Sequence, residues 1–130
     1  MAFLKPHLEK IYAVLRIVAG LLFMQHGLQK IVGLFGGMPP GVPEPVRWIA
    51  GLIELIGGLM IAVGFQASLA AFLSSGLMAF AYFLAHHDTN APLPIQNKGE
   101  LAVLYSWVFL YMATRGAGIW SVDGASKRIR

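Results

Sequence analysis

Long apolar stretches are the feature of this sequence that most restricts how the chain can fold. A bilayer core about 30 Å thick requires about 20 mostly apolar residues per crossing helix. Four stretches reach or approach this length, and we predict helices at about 11–31, 46–65, 67–85 and 98–114. The apolar part of the fourth stretch is short. Its helix therefore either begins a turn earlier, within the bundle, or lies at the membrane interface, and we favour the first arrangement.

Composition supports placing these stretches in lipid. The 130-residue chain is 57% hydrophobic and only 12% charged, whereas a soluble domain carries about 25% charged residues. A chain this short has too much surface for its volume to hide so many apolar side chains in a water-soluble monomer. The sequence therefore predicts an all-α protein in contact with the lipid bilayer. We expect a four-transmembrane-helix bundle that forms a single domain over residues 1–130, with a polar, basic tail at 116–130.

Basic residues near the helix ends predict the orientation, because cytoplasmic loops carry an excess of lysine and arginine. Four spans place both termini on one side of the membrane, together with Lys5, Lys10, Arg115, Lys127, Arg128 and Arg130. The opposite side holds Arg47, Lys98 and, at its edge, Lys30. We therefore expect both termini in the cytoplasm.

Ionisable side chains inside the predicted helices are informative, because lipid rejects them and they turn toward the bundle interior. One face of the first helix holds Arg16, Gly20, His26, Gly27 and Lys30. One face of the second helix holds Arg47, Gly51, Glu54 and Gly58. These two faces are expected to meet. Glu54 lies near mid-membrane, where an unpaired carboxylate would become protonated or find a cation. The long side chain and forked guanidinium of Arg16 suit it. We predict an intramembrane Arg16–Glu54 ion pair. The pair either only fixes the register of the two helices or also has a functional role.

A second polar group is expected at the outer end of the bundle. His26 and Lys30 lie one helical turn apart and share a face. Glu100 begins a helix too short to start at the membrane surface, so it is expected at their depth. We predict that His26, Lys30 and Glu100 form one pocket, with Tyr105 beside it. The alternative is a polar cap that seals the bundle and binds nothing.

Several kinds of chemistry are excluded or disfavoured. The absence of cysteine excludes disulfides, iron–sulfur ligation and covalently attached c-type haem. Adjacent His86 and His87 would point about 100° apart on a helix, so we predict no metal site, and we assign no catalytic residue. The net charge of +4 lies mostly at the chain ends and predicts no nucleic-acid surface.

Small residues recur every four positions in the third helix, where they form one stripe of Ala67, Ala71, Ser75 and Ala79. Such stripes let helix backbones approach closely in lipid. Internal helix packing is the favoured interpretation, and association of two copies of the chain is the alternative.

Short motifs spread over the chain resemble, in their order, those of the DoxX family. They are His26-Gly27-Leu28-Gln29-Lys30 followed by Gly36-Gly37, Glu54-Leu55-Ile56-Gly57-Gly58 with Gly64, Asn97-Lys98-Gly99-Glu100-Leu101-Ala102 with Tyr105, and Gly118-Ile119-Trp120-Ser121-Val122-Asp123. The resemblance implies a four-helix, multi-pass protein of the bacterial inner membrane, similar to subunits of thiosulfate:quinone oxidoreductases. Lys98 departs from the family pattern, which often has a second glycine there.

The resemblance implies a role in membrane redox chemistry. We predict a quinone-associated subunit of a membrane redox complex, with His26, Lys30, Glu100 and Tyr105 at the polar end of the quinone site. The chain has no flavin or dinucleotide motif, so a redox cycle requires a partner protein. The alternative is a non-catalytic membrane anchor or assembly partner for a peripheral redox enzyme, contacted through the basic tail. A transporter is disfavoured by the lack of an inverted repeat, and we do not expect haem.

Overall fold

The structure, a computed structural model, describes residues 1–38 and 41–128 as a bundle of helices. No strand occurs within these ranges, which confirms the all-α prediction for the described chain. The long helices are α1 (Leu8–Val32), α2 (Glu44–Val63) and α3 (Ala67–His86), the short α4 spans Pro94–Asn97, and α5 (Glu100–Arg115) and α6 (Val122–Arg128) complete the chain.

Within the described ranges, three helical segments are long and apolar enough to cross a membrane. They are Ala2–Val32, which joins a 3₁₀ turn to α1, and the whole of α2 and α3. Helix α5 has 16 residues and is about 24 Å long, so it is shorter than a typical span. The four main helices begin and end within about three residues of the predicted bounds.

Glycines bring α1 and α2 into direct backbone contact. A Cβ atom added to Gly20 would lie 2.7 Å from the carbonyl oxygen of Gly58, and one added to Gly27 would lie 2.6 Å from the Cα of Leu55. No side chain larger than hydrogen fits at either position without moving a helix. The predicted meeting of the polar faces of these two helices is therefore confirmed, and the glycines fix their register.

Helix α3 uses its small residues to pack along α5. Ala67, Ala71 and Ser75 are buried, and the Ser75 hydroxyl donates a hydrogen bond of 2.8 Å to the Ser106 carbonyl of α5. The stripe thus serves internal helix packing. The apolar core lies between these helices and α1, where Phe23 and Phe109 are fully buried against each other.

The segment after α5 folds back over the turn between α2 and α3. Both carboxylate oxygens of Asp123 accept backbone N–H groups that begin α3, from Gln66 at 2.9 Å and Ala67 at 3.0 Å. Asp123 therefore caps the positive end of a helix remote in sequence. The polar, basic tail predicted at 116–130 is thus attached to the bundle at its start, where Ala117 is buried and the cap ties α6 to α3.

Candidate ligand-binding cavity

A buried ion pair joins α1 to α2. The Lys30 ammonium donates to both carboxylate oxygens of Glu54, at 2.8 Å and 2.6 Å. The Glu54 side chain is 3% exposed and that of Lys30 is 16% exposed. A carboxylate this deeply buried is tolerated because the cation compensates it directly.

The predicted Arg16–Glu54 pair is wrong, and helix register is the reason. The glycine contacts place Gly27 beside Leu55, so Glu54 lies about eleven residues along α1 from Arg16. At 1.5 Å per residue this separation is about 16 Å, which is beyond the reach of an arginine side chain. Lys30 lies one turn from Gly27 on the same face and reaches the carboxylate instead.

Arg16 binds backbone carbonyls at the opposite end of the bundle. Its Nη1 atom donates to the carbonyls of Ile61 and Ala62, each at 2.6 Å, and its Nη2 atom donates to that of Trp120 at 2.7 Å. The first two belong to the last turn of α2, where helix carbonyls have no N–H partner in a following turn and can accept other donors. The fully buried Arg16 therefore joins α1, the end of α2 and the C-terminal segment.

The Lys30–Glu54 pair lies at the wall of a cavity of about 450 Å³ between the four main helices. Apolar side chains from α2 and α3 form most of the remaining wall; they include Val46, Ile49, Ala50, Leu77, Met78, Phe80, Ala81 and Leu84. Ile49, Phe80 and Leu84 are also more than half exposed on the outer surface. The cavity therefore opens sideways between α2 and α3, with its polar groups at one end.

Three of the four predicted pocket residues line this cavity. His26 and Lys30 come from α1 and Tyr105 from α5, and the His26 and Tyr105 rings lie edge to face with centroids 6.3 Å apart. Glu100 does not join them. It is exposed and lines a separate groove with Leu104 and Trp107 on the outside of α5.

The position of Glu100 follows from helix geometry. Tyr105 and Ala102 face the cavity, whereas Glu100 projects about 200° away from Ala102 around the axis of α5. The prediction that Glu100 joins His26 and Lys30 in one pocket is therefore wrong. Glu54 supplies the carboxylate of the cavity instead.

Two π-helical turns border the cavity, at Ile53–Gly57 in α2 and Tyr82–His86 in α3. The first carries Glu54 and the second ends at His86, and both of these residues line the cavity. Such turns are rare and are frequent at functional sites, because they redirect side chains within a helix. A helical pattern of 3.6 residues per turn does not reveal them.

His86 also lines the cavity although it is not among the predicted pocket residues, and so does Lys98, which the sequence marks as a departure from the family pattern. The Nδ1 atom of His86 lies 3.1 Å from the Asn97 carbonyl oxygen, which fixes the imidazole against the connector before α5. The sequence places His86 at the same membrane level as His26, and this was the feature from which its position at the pocket could have been predicted. Among the described residues, no three His, Cys, Asp or Glu side chains form a group that could hold a metal ion.

A second cavity, of about 460 Å³, lies on the other side of Lys30. Gln29, Glu44 and Arg47 line it, together with residues of the α1–α2 connector. Lys30, Met38 and Val42 line both cavities. The ion pair thus stands between a polar cavity at the end of the bundle and an apolar cavity that opens between two helices.

These features define a class: a helical membrane protein with an amphipathic side cavity whose polar end contains a buried ion pair. The model of the family described as DoxX matches residues 11–87. The chain belongs to the DoxX family.

Curated relatives match most of the chain. A protein from Haemophilus influenzae, named as uncharacterized, is 40% identical over 116 residues, which cover 85% of this chain and 87% of the relative. The Bacillus subtilis protein named "Putative oxidoreductase CatD" is 27% identical and covers 85% and 82% of the two chains. The Escherichia coli protein named "Inner membrane protein YqjF" is 30% identical and covers 85% and 87%. No solved structure showed significant similarity to the chain.

Proposed function

We propose that this protein is a multi-pass protein of the bacterial inner membrane that binds quinone and serves a membrane redox complex. In this arrangement α5 is the fourth span and both termini are cytoplasmic. The inner-membrane name of the Escherichia coli relative supports the location. The basic residues near both termini support the orientation.

The amphipathic cavity carries the proposal. A quinone has a polar ring with two carbonyl acceptors and an apolar tail, and the cavity offers a polar end and apolar walls of matching character. His26 and Tyr105 can donate hydrogen bonds to the carbonyls. The opening between α2 and α3 lets a tail extend into the bilayer.

The Lys30–Glu54 pair places an ammonium group beside the position where a bound quinone would change its charge on reduction. A quinone that accepts electrons becomes more negative and takes up protons, and a nearby ammonium stabilises the negative charge. Lys30 also borders the polar cavity at the end of the bundle, from which water can supply protons. The chain holds no cysteine and no flavin or dinucleotide motif, so the electrons come from a partner protein.

Quinone titration of the protein purified in a mild detergent tests this proposal. We expect His26→Leu to weaken binding about tenfold or more, because it removes one polar contact and leaves a carbonyl unpaired in the cavity. Glu100→Gln is the matched control and should bind as the unmodified protein does. Equal binding by both variants would contradict the assignment of the cavity.

A steric pair of variants tests the location independently of hydrogen bonding. Ala85→Phe adds a ring to the cavity wall, whereas Gly76→Phe adds the same ring to α3 where nothing lies within 4 Å of the added Cβ. We expect only Ala85→Phe to reduce quinone affinity. If Gly76→Phe reduces it equally, quinone binds elsewhere on α3 or in the detergent micelle.

The alternative function, a non-catalytic anchor for a peripheral redox enzyme, is favoured by one observation. Asp123 holds the start of α6 against the bundle, and the sequence that follows it is basic. An anchor would release its partner on deletion of residues 124–130 and would not bind quinone. Copurification of proteins with the full chain and with this truncated chain distinguishes the two functions.

A further inference from the structure

Lys98 occupies a backbone position that favours glycine. It follows α4 with φ 60° and ψ 21°, in the left-handed region, which glycine enters without the steric cost of a Cβ atom. Residues with side chains keep such conformations where the surroundings enforce them, and they cluster at ligand sites.

Lys98 lines the polar end of the amphipathic cavity. Lys98 borders both the cavity and the outer groove that contains Glu100. Within the described chain, the ion pairs are Lys30–Glu54, Arg47–Glu44 and Arg115–Glu9. None of these engages the Lys98 ammonium, which is exposed and can turn toward a ligand at the polar end of the cavity.

The charges of the described cavity lining do not balance. Its ionisable cationic or basic members are His26, Lys30, His86 and Lys98, and its carboxylate is Glu54. Glu54 compensates Lys30 through two hydrogen bonds. The ammonium of Lys98 is left at the polar end of a cavity whose other walls are apolar.

We propose that the ligand of this cavity is an amphiphile with an anionic ring, and that Lys98 selects for that charge. This inference rests on the proposed quinone site and narrows its ligand to quinones that carry an ionised acidic hydroxyl. The ring lies between Lys98, His26 and Tyr105, and the tail leaves between α2 and α3. A charge-assisted hydrogen bond from the ammonium to the ring oxygen supplies the selectivity.

Two matched probes test the inference on the full chain in an uncharged detergent. One is a 2-hydroxy-1,4-naphthoquinone with an alkyl tail, which is anionic at neutral pH. The other is its neutral 2-methoxy counterpart with the same tail. We expect the anionic probe to bind about tenfold more tightly. Lys98→Asn should remove this preference, and because asparagine tolerates the left-handed conformation, the variant should fold normally.

Lys10→Asn is the control, since it removes the same charge from the first turns of α1, where the residue is exposed. It should keep the tenfold preference. Equal affinity of the unmodified protein for the two probes overturns the inference and leaves the quinone site standing. A preference that survives Lys98→Asn, or one that Lys10→Asn also removes, overturns the role of Lys98. Binding of neither probe overturns the quinone site and the inference together.

Discussion

Removal of either charge of the Lys30–Glu54 pair should destabilise the bundle. The loss should be larger when the carboxylate is left unpaired than when the ammonium is left. The two contacts of 2.6 Å and 2.8 Å correspond to an attraction of about 6 kcal/mol at an effective dielectric constant of about 20. Much of this attraction offsets the desolvation of the two groups. Lys30→Met leaves the carboxylate of Glu54 alone in the interior, where the residue is 2% exposed. The free energy of unfolding should fall by about 3–5 kcal/mol.

Glu54→Leu should cost less, because Lys30 borders the polar cavity and can turn its ammonium toward water. The double variant Lys30→Met/Glu54→Leu removes both charges, so its loss should be smaller than the sum of the single losses by about 2 kcal/mol or more. Tryptophan fluorescence during unfolding by sodium dodecyl sulfate in mixed micelles measures all three values.

Arg16→Leu combined with Glu54→Leu is the control for this cycle. The two residues share no contact, because Arg16 donates to backbone carbonyls at the other end of α2. Their losses should add to within about 0.5 kcal/mol. Additive losses for Lys30 and Glu54, or strong coupling between Arg16 and Glu54, would refute the register derived from the glycine contacts.

Three further predictions concern packing, capping and topology. Gly27→Ala should destabilise the bundle by roughly 1–3 kcal/mol or more by overpacking against α2, whereas Gly76→Ala, where the space is open, should stabilise α3 slightly; the same unfolding assay decides, and equal effects would contradict the close contact. Asp123→Ala should cost roughly 0.5–2 kcal/mol through loss of the cap on α3, and Asp123→Asn, which keeps an acceptor oxygen, should recover part of the loss. Reporter fusions at Asn90 should be external and those at the C-terminus cytoplasmic, and a cytoplasmic signal at Asn90 would exclude the four-span arrangement.

The helices and their facing surfaces could be predicted because lipid imposes simple rules on sequence. Apolar length marks the spans, and ionisable residues and glycines mark the face turned inward. For this reason the inward-facing positions on α1 and α2 agree with the prediction; they include Arg16, Gly20, Gly27 and Glu54. A face, however, does not determine which residues on it lie at the same level.

The partner of Glu54 could not be predicted, because helix register depends on backbone contacts of a few ångströms. Centring both helices in the bilayer places Arg16 within reach of Glu54, whereas the Gly20–Gly58 contact shifts α1 along α2 until Lys30 is beside the carboxylate. The outward position of Glu100 likewise depends on how α5 is rotated against α3. That rotation is set by packing around Ser75 rather than by a pattern within α5 alone.

The contacts of Arg16 have a consequence for biogenesis. Its acceptors at Ile61 and Ala62 lie 45 and 46 positions further along the chain, and the acceptor at Trp120 lies 104 positions further. When α1 enters the bilayer during translation, the bundle that presents these carbonyls has not yet assembled. An arginine within a transmembrane helix is costly until it finds partners. The first helix therefore enters the membrane with Arg16 unpaired, gains two acceptors when α2 packs against it, and gains the third only when the C-terminal segment folds back.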